Sequence, residues 1–259
     1  PSAAKTWTPT PSSSARVIHP WPQQRHDEQR SGRTSYKGPD QPDIRWTFEA
    51  EGELSGAVVG TDGSVYVAST EGRLFALNPD GSRKWTFPSS ASSAFKRLSP
   101  PALGGDGTVY VRAAGSATDS LEGQGKASDQ ATLYALSPER RQKWTYPLGS
   151  DGGNPAIDRN GTVYVVGMTV GASVWTTIYA IDPGGTMKWR LDTKAIKWNR
   201  PLCLESFRDL AIAEDGTIYG GENEVVAVRP NGEGFCGLAG GGVRGSVRDV
   251  ALAPEGIIY

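Results

Sequence analysis

Few residues of this chain can do chemistry, and their placement is informative. The only histidines, His19 and His26, stand near the N-terminus, and the two cysteines, Cys203 and Cys236, stand 33 positions apart. A Ser-His-Asp triad or a histidine metal site needs imidazoles among converging loops of the body. Neither is supported here, and no metal site is predicted. The acids of D-G pairs such as Asp62-Gly63 and Asp106-Gly107 lack calcium-loop spacing and read as turns. The cysteines can form one disulfide or pack as two small buried thiols, and the residues leave both open. That leaves cations with aromatics. Lys96, Arg97, Trp175, Lys194, Lys197, Trp198, Asn199 and Arg200 fall in long polar stretches. Cationic groups beside indole rings suit an acidic sugar polymer or a protein surface. The competing reading is solvated loops whose charges serve solubility.

The segments that must position these residues are repeats. DGSVY, DGTVY, NGTVY, DGTIY and EGIIY recur around Gly63, Gly107, Gly161, Gly216 and Gly256. Asp-Gly and Asn-Gly between alternating apolar residues are strong hairpin signals, because both accept positive φ. Each turn follows a short strand with a small residue such as Ala102, Ala156 or Ala211. After it come LFAL, LYAL, IYAI or VVAV and then an outer strand, with Trp85, Trp144 and Trp189 each nine residues beyond an alanine. In the fourth unit the same count lands on Cys236, so the tryptophan is missing there. Four strands per unit of 40 to 55 residues, closed by a tryptophan, predict an all-β fold, a β-propeller of four-stranded antiparallel blades. The chain spells four blades and half of a fifth, and the expectation is a fragment of a seven- or eight-bladed ring. Trp46 precedes the first inner strand and is expected on an outer strand that closes such a ring. The repeated tyrosines and tryptophans are expected to pack between blades.

Loop lengths separate the two faces of such a disc. The D-G and P-x-G turns stay tight, whereas insertions at 88–100, 113–130, 167–176 and 191–208 all fall on the opposite side. Binding residues concentrate on long loops held by a rigid scaffold. The chain reads as a Pro/Ser-rich tether over 1–18, an extended arm over 19–45 and an incomplete propeller over 46–259. Its 27 basic and 28 acidic residues leave a net charge of −1, so no global field points to nucleic acid. No apolar run approaches the roughly 20 residues of a membrane helix.

The D-G-T-V-Y-V and x-L-Y-A-L-x-P-x-G-x-x-x-W patterns resemble the pyrroloquinoline-quinone-like repeat family, as does the arm WPQQRHDEQRSGRTSYKGP. The resemblance covers residues 19–259 and implies an exported bacterial propeller, periplasmic, outer-membrane-anchored or extracellular. Quinoprotein dehydrogenases of that family carry two adjacent cysteines, which this chain lacks, so no cofactor is expected. The leading functional expectation is a non-enzymatic binding or scaffolding propeller. Its partner would be a protein or polysaccharide on the long-loop face, at Lys96, Arg97, Trp175, Lys197, Trp198 and Arg200. A carbohydrate-active lyase or hydrolase is the alternative, and a quinoprotein dehydrogenase the third.

Overall fold

In four of the five units, an Asx or Asn turn followed by glycine sets the fold's local geometry. Gly63, Gly107, Gly161 and Gly216 take φ of 77, 79, 81 and 84°, the left-handed region that favours glycine. A Cβ on any of them would lie 2.9–3.1 Å from Pro79, Pro138, Pro183 or Pro230, the proline of the outer turn in the same unit. The backbone amides of Ser64, Thr108 and Thr217 donate to Asp62, Asp106 and Asp215 at 2.8–3.0 Å. In the third unit asparagine replaces that aspartate, and Asp158, two residues earlier, accepts from Thr162 instead. Two tight turns packed on each other therefore close one end of each of these four units.

The computed structural model describes residues 19–35, 37, 40, 43–89, 95–116, 130–170, 174–192, 209–221, 226–236 and 250–253. These hold seventeen β-strands and no helix. The first blade is β1 (Val58–Val59), β2 (Val65–Ala68), β3 (Leu74–Leu77) and β4 (Arg83–Phe87), antiparallel in that order. The second has a split inner strand, β5 (Phe95–Leu98) and β6 (Ala102–Leu103), followed by β7 (Val109–Ser116), β8 (Ala131–Leu136) and β9 (Gln142–Gly152). The third is β10 (Ala156–Ile157), β11 (Val163–Val170), β12 (Val174–Ile181) and β13 (Met187–Asp192). The fourth is β14 (Ala211–Ile212), β15 (Ile218–Gly220), β16 (Val226–Val228) and β17 (Gly234–Cys236). The tail of β9 leaves β8 to pair with β11, so blades two and three share one nine-stranded sheet.

Packing between blades follows one rule. Tyr66, Ala76 and Trp85 lie in one cross-strand row, and the small alanine lets the two rings meet over it at 5.7 Å. Tyr110 with Trp144 and Tyr164 with Trp189 repeat this at 5.6 and 5.8 Å. Each indole then reaches the next blade. Trp85 Nε1 donates to the Pro138 carbonyl at 2.7 Å, Trp144 to Pro183 at 2.9 Å and Trp189 to Pro230 at 2.8 Å. Trp46 donates in the same way to Pro79 at 2.9 Å, although residues 43–50 form no strand. It thus occupies, against blade one, the place that an outer-strand tryptophan holds against every following blade.

The fourth blade corrects a reading by residue count. Counting nine from Ala227 reaches Cys236, yet the residue opposite Ala227 is Phe235, and Cys236 pairs with Val226. Blades one to three carry a register shift beside the alanine, which adds one residue to the outer strand. Blade four has no such bulge, so its aromatic comes one position earlier.

The buried tyrosines give a pH signature. Burial, aided by the Asp62 charge, pushes the Tyr66 hydroxyl up to about 12. Burial likewise raises Tyr110 and Tyr164, with Asp106 and Asp158 adding to it. A folded-state value above the unfolded one means the contribution is fully present below the unfolded value, about 10, and is lost as pH rises through the folded one. The urea midpoint should stay level to about pH 9.5 and fall steeply above it, in step with tyrosinate absorbance. A midpoint unchanged up to about pH 12 would contradict this assignment.

Candidate functional site

The two ends of the blades are built differently. At the turn end, Lys143 Nζ sits 2.8 Å from Asp106, and Lys84 Nζ 3.4 Å from Asp62. Partial burial pushes the Asp106 carboxyl up, but Lys143 and Thr108 more than offset this and hold it below the usual range. Both lysines join outer strands to the D-G turns, which ties this end within blades one and two.

At the opposite end the strands outgrow the blade. The region 167–176, expected as a loop, is mostly the continuing β11–β12 hairpin, paired out to Val170 and Val174. Likewise β7 runs to Ser116 and β8 resumes at Ala131, with Ala114 opposite Ala131. Within 88–100, residues 95–98 form β5 on the far half of β7. These segments alternate apolar with small or β-branched residues, which suits a strand, and their position in the repeat made them look like insertions. The described strand ends flanking all four insertions lie on the end opposite the D-G turns.

The predicted binding residues can be located only in part. Arg97 lies on β5, exposed and opposite Ala114. Lys96 is its neighbour on the same strand, and Trp175 stands on β12 opposite Thr169. Lys194, Lys197, Trp198, Asn199, Arg200, Cys203 and Gly256 lie outside the described residues. Cys236 ends β17, and the choice between a disulfide with Cys203 and two separate thiols therefore also lies outside them. Trp46, Trp85, Trp144 and Trp189 serve the interblade contacts described above.

A second locus was missed by sequence reasoning. Residues 19–30 run along the inner strands of the four described blades and on to Leu252, from Trp21 against Val59 to Gln29 against Leu252. His19 is buried and accepts from the Thr61 amide at Nδ1 (3.2 Å), which leaves Nε2 to donate to the Gly104 carbonyl (2.8 Å). Gln23 bonds both backbone groups of Ile157, at 3.1 and 3.3 Å. Arg30, 3% exposed, donates to the Leu210 carbonyl at 2.5 Å and faces Asp209 at 3.6 Å. Asn154 bridges Gln24 and Asp209 at 2.7 Å each. A cleft of about 890 Å³ is lined by Asp27 and Glu28 of the arm with Arg159, Glu214 and Tyr219, among others. Arg159 spans the carboxylates of Glu28 (3.4 Å) and Glu214 (3.6 Å). Among the described residues, no group of three or more His, Cys, Asp or Glu could hold a metal ion, and no helix is long and apolar enough to cross a membrane. The available sequence signal was the density of amide side chains in a proline-broken segment.

Repeated four-stranded antiparallel blades, the first three each stapled by a tryptophan to the next, define a β-propeller. A family model described as outer membrane protein assembly factor BamB, one of the PQQ-like repeat models, matches residues 38–233, and the chain belongs to that family. Similar solved structures include a protein of unknown function from Bacteroides caccae, 15% identical, covering 72% of this chain and 60% of that one, with a TM-score of 0.46. BamB from Moraxella catarrhalis is 17% identical over 83% of this chain and 71% of its own, with a TM-score of 0.41. A gluconolactonase from Xanthomonas campestris is 13% identical over 78% and 66%, with a TM-score of 0.46. The chain thus spans 60% of the length of the Bacteroides caccae structure and between 66 and 71% of the other two. No curated protein matches it in sequence.

Proposed function

We propose that this propeller is a non-enzymatic binding or scaffolding module of a bacterial envelope or secreted protein. Its partner is an acidic protein segment that engages the end of the disc carrying the extended strands. The observation that carries this reading is the asymmetry of the blades. One end is consumed by paired turns and Lys–Asp ties, while the other projects the β7–β8 and β11–β12 strands with exposed Arg97 beside them. A rigid stapled scaffold loses little conformational freedom when its projecting strands bind, which favours recognition. The description of the family, an outer-membrane protein assembly factor, supports a protein partner and an envelope location.

The test uses two charge reversals. K96E/R97E alters the projecting end, and K84E/K143E alters the turn end. Both are titrated against an array of Asp- and Glu-rich peptides and, in parallel, a glycan array with product analysis. Losing one or two cationic contacts should weaken peptide binding by about tenfold or more for K96E/R97E only. Equal loss in both variants would overturn the assignment of the face. Binding confined to glycans with appearance of cleaved product would replace the reading with a carbohydrate-active enzyme.

A further inference from the structure

We infer that the axis of the propeller is a peptide-binding site, filled in cis by residues 19–30, and that this arm is a separable ligand of the blades rather than part of their core. The inference starts from one repeated atom. Val59, Leu103, Ile157, Ile212 and Leu252 each stand four positions before the key glycine of their unit. The first four each end an inner strand, β1, β6, β10 and β14, just ahead of the turn. All five of their amides donate to the arm. The acceptors are the carbonyls of Trp21 (2.8 Å), Pro22 (2.7 Å), Glu28 (2.7 Å) and Gln29 (3.0 Å), with Gln23 Oε1 (3.1 Å) serving Ile157. The blades thus present a ring of equivalent donors, and a segment supplying acceptors in sequence can satisfy the whole ring. That is strand-edge recognition wrapped around an axis.

Specificity comes from side chains. Gln29 donates to the Ile212 carbonyl at 3.0 Å, so Gln23 and Gln29 both read an inner strand through a carboxamide, alongside His19 and Arg30. The path is shaped to the ring. A turn closes with the His26 amide on the Gln23 carbonyl (2.9 Å), and Arg25, His26 and Arg30 take positive φ of 61, 80 and 56°. These bends carry the chain from blade three to blade four, which a regular strand could not do. Separability follows from what the arm does not supply. None of residues 19–32 belongs to any of the five apolar clusters, whose members begin at Trp46. The arm is held by polar contacts to blades already packed against one another, so its release opens no cavity in the apolar core. The chemical class of ligand is a short peptide rich in carboxamide and guanidinium side chains.

The experiment keeps the whole chain and places a protease site in the exposed stretch at Arg33–Ser35. After cutting, the arm is expected to co-elute with the body, and the five amides should stay protected from hydrogen exchange. Excess synthetic peptide 19–32, isotopically labelled, should replace it. Dilution should release it, with loss of protection of about 100-fold or more at all five amides together. Amides within the β2–β3, β7–β8 and β11–β12 pairs should not change. In the uncut chain, Arg30→Gln should raise exchange at the same five amides by about tenfold, the size expected for one lost charge-assisted bond. Three outcomes would overturn the inference. They are departure of the arm without effect on the five amides, refusal of the arm to exchange with the peptide, and loss of protection across the blades as a whole when it leaves.

Discussion

Trp85→Ala is expected to lower the unfolding free energy by about 3–5 kcal/mol. The side chain is 9% exposed and lies in the apolar cluster joining blades one and two, with Tyr66, Ala76, Leu103 and Val109. Truncation removes its apolar area, leaves a void that the flanking strands cannot fill, and strips the Pro138 carbonyl of its donor at 2.7 Å. Two variants separate these contributions. Trp85→Phe keeps most of the ring and loses only the bond, so it should cost about 1–2 kcal/mol. Trp46→Ala should cost less than Trp85→Ala, because Trp46 is only partly buried and makes the same bond with less packing. Urea titrations of the three variants give the ranking. Equal losses for Trp46 and Trp85 would mean that burial between blades is not what the repeat supplies.

Gly167→Ala is expected to destabilise by about 2–4 kcal/mol, although it adds one methyl group. Gly167 on β11 and Gly152 on β9 face each other in register. A Cβ on Gly167 would lie 2.1 Å from the Leu148 carbonyl oxygen, and one on Gly152 would lie 1.9 Å from that of Val166. Neither glycine has a positive φ, so the cost is steric contact between backbones with no flexible side chain to yield. Relief requires the β9 tail to peel from β11, which breaks the link between blades two and three and exposes Leu148, now fully buried. Gly56→Ala is the control, because the nearest atom to its added Cβ is 4.0 Å away; it should stay within about 0.5 kcal/mol of the parent. Hydrogen exchange at the β9 tail tells the two apart. Unchanged protection there in Gly167→Ala would refute the close approach.

Much of the propeller was legible in the chain because its signals are local. D-G turns, period-two strands and an alanine flanked by tyrosine and tryptophan are each confined to a single unit, and their recurrence announces blades. The sequence therefore determined the all-β class, the blade boundaries, the interblade role of Trp85, Trp144 and Trp189 and the tight turn end. Three features were decided only by the tertiary structure. The extended segments at 113–116, 167–170 and 174–176 became strands because neighbouring segments pair with them, a partnership distant in sequence. The place of Phe235 opposite Ala227 depended on a missing bulge, which residue counting cannot detect. Above all, the route of residues 19–30 along four inner strands and on to Leu252 rests on backbone amides of Val59, Leu103, Ile157, Ile212 and Leu252. Every residue but proline carries the same amide, so no side-chain pattern marks which ones will be left open at an axis. Only the convergence of the blades brings them together, and for that reason the arm's destination had to be seen in three dimensions.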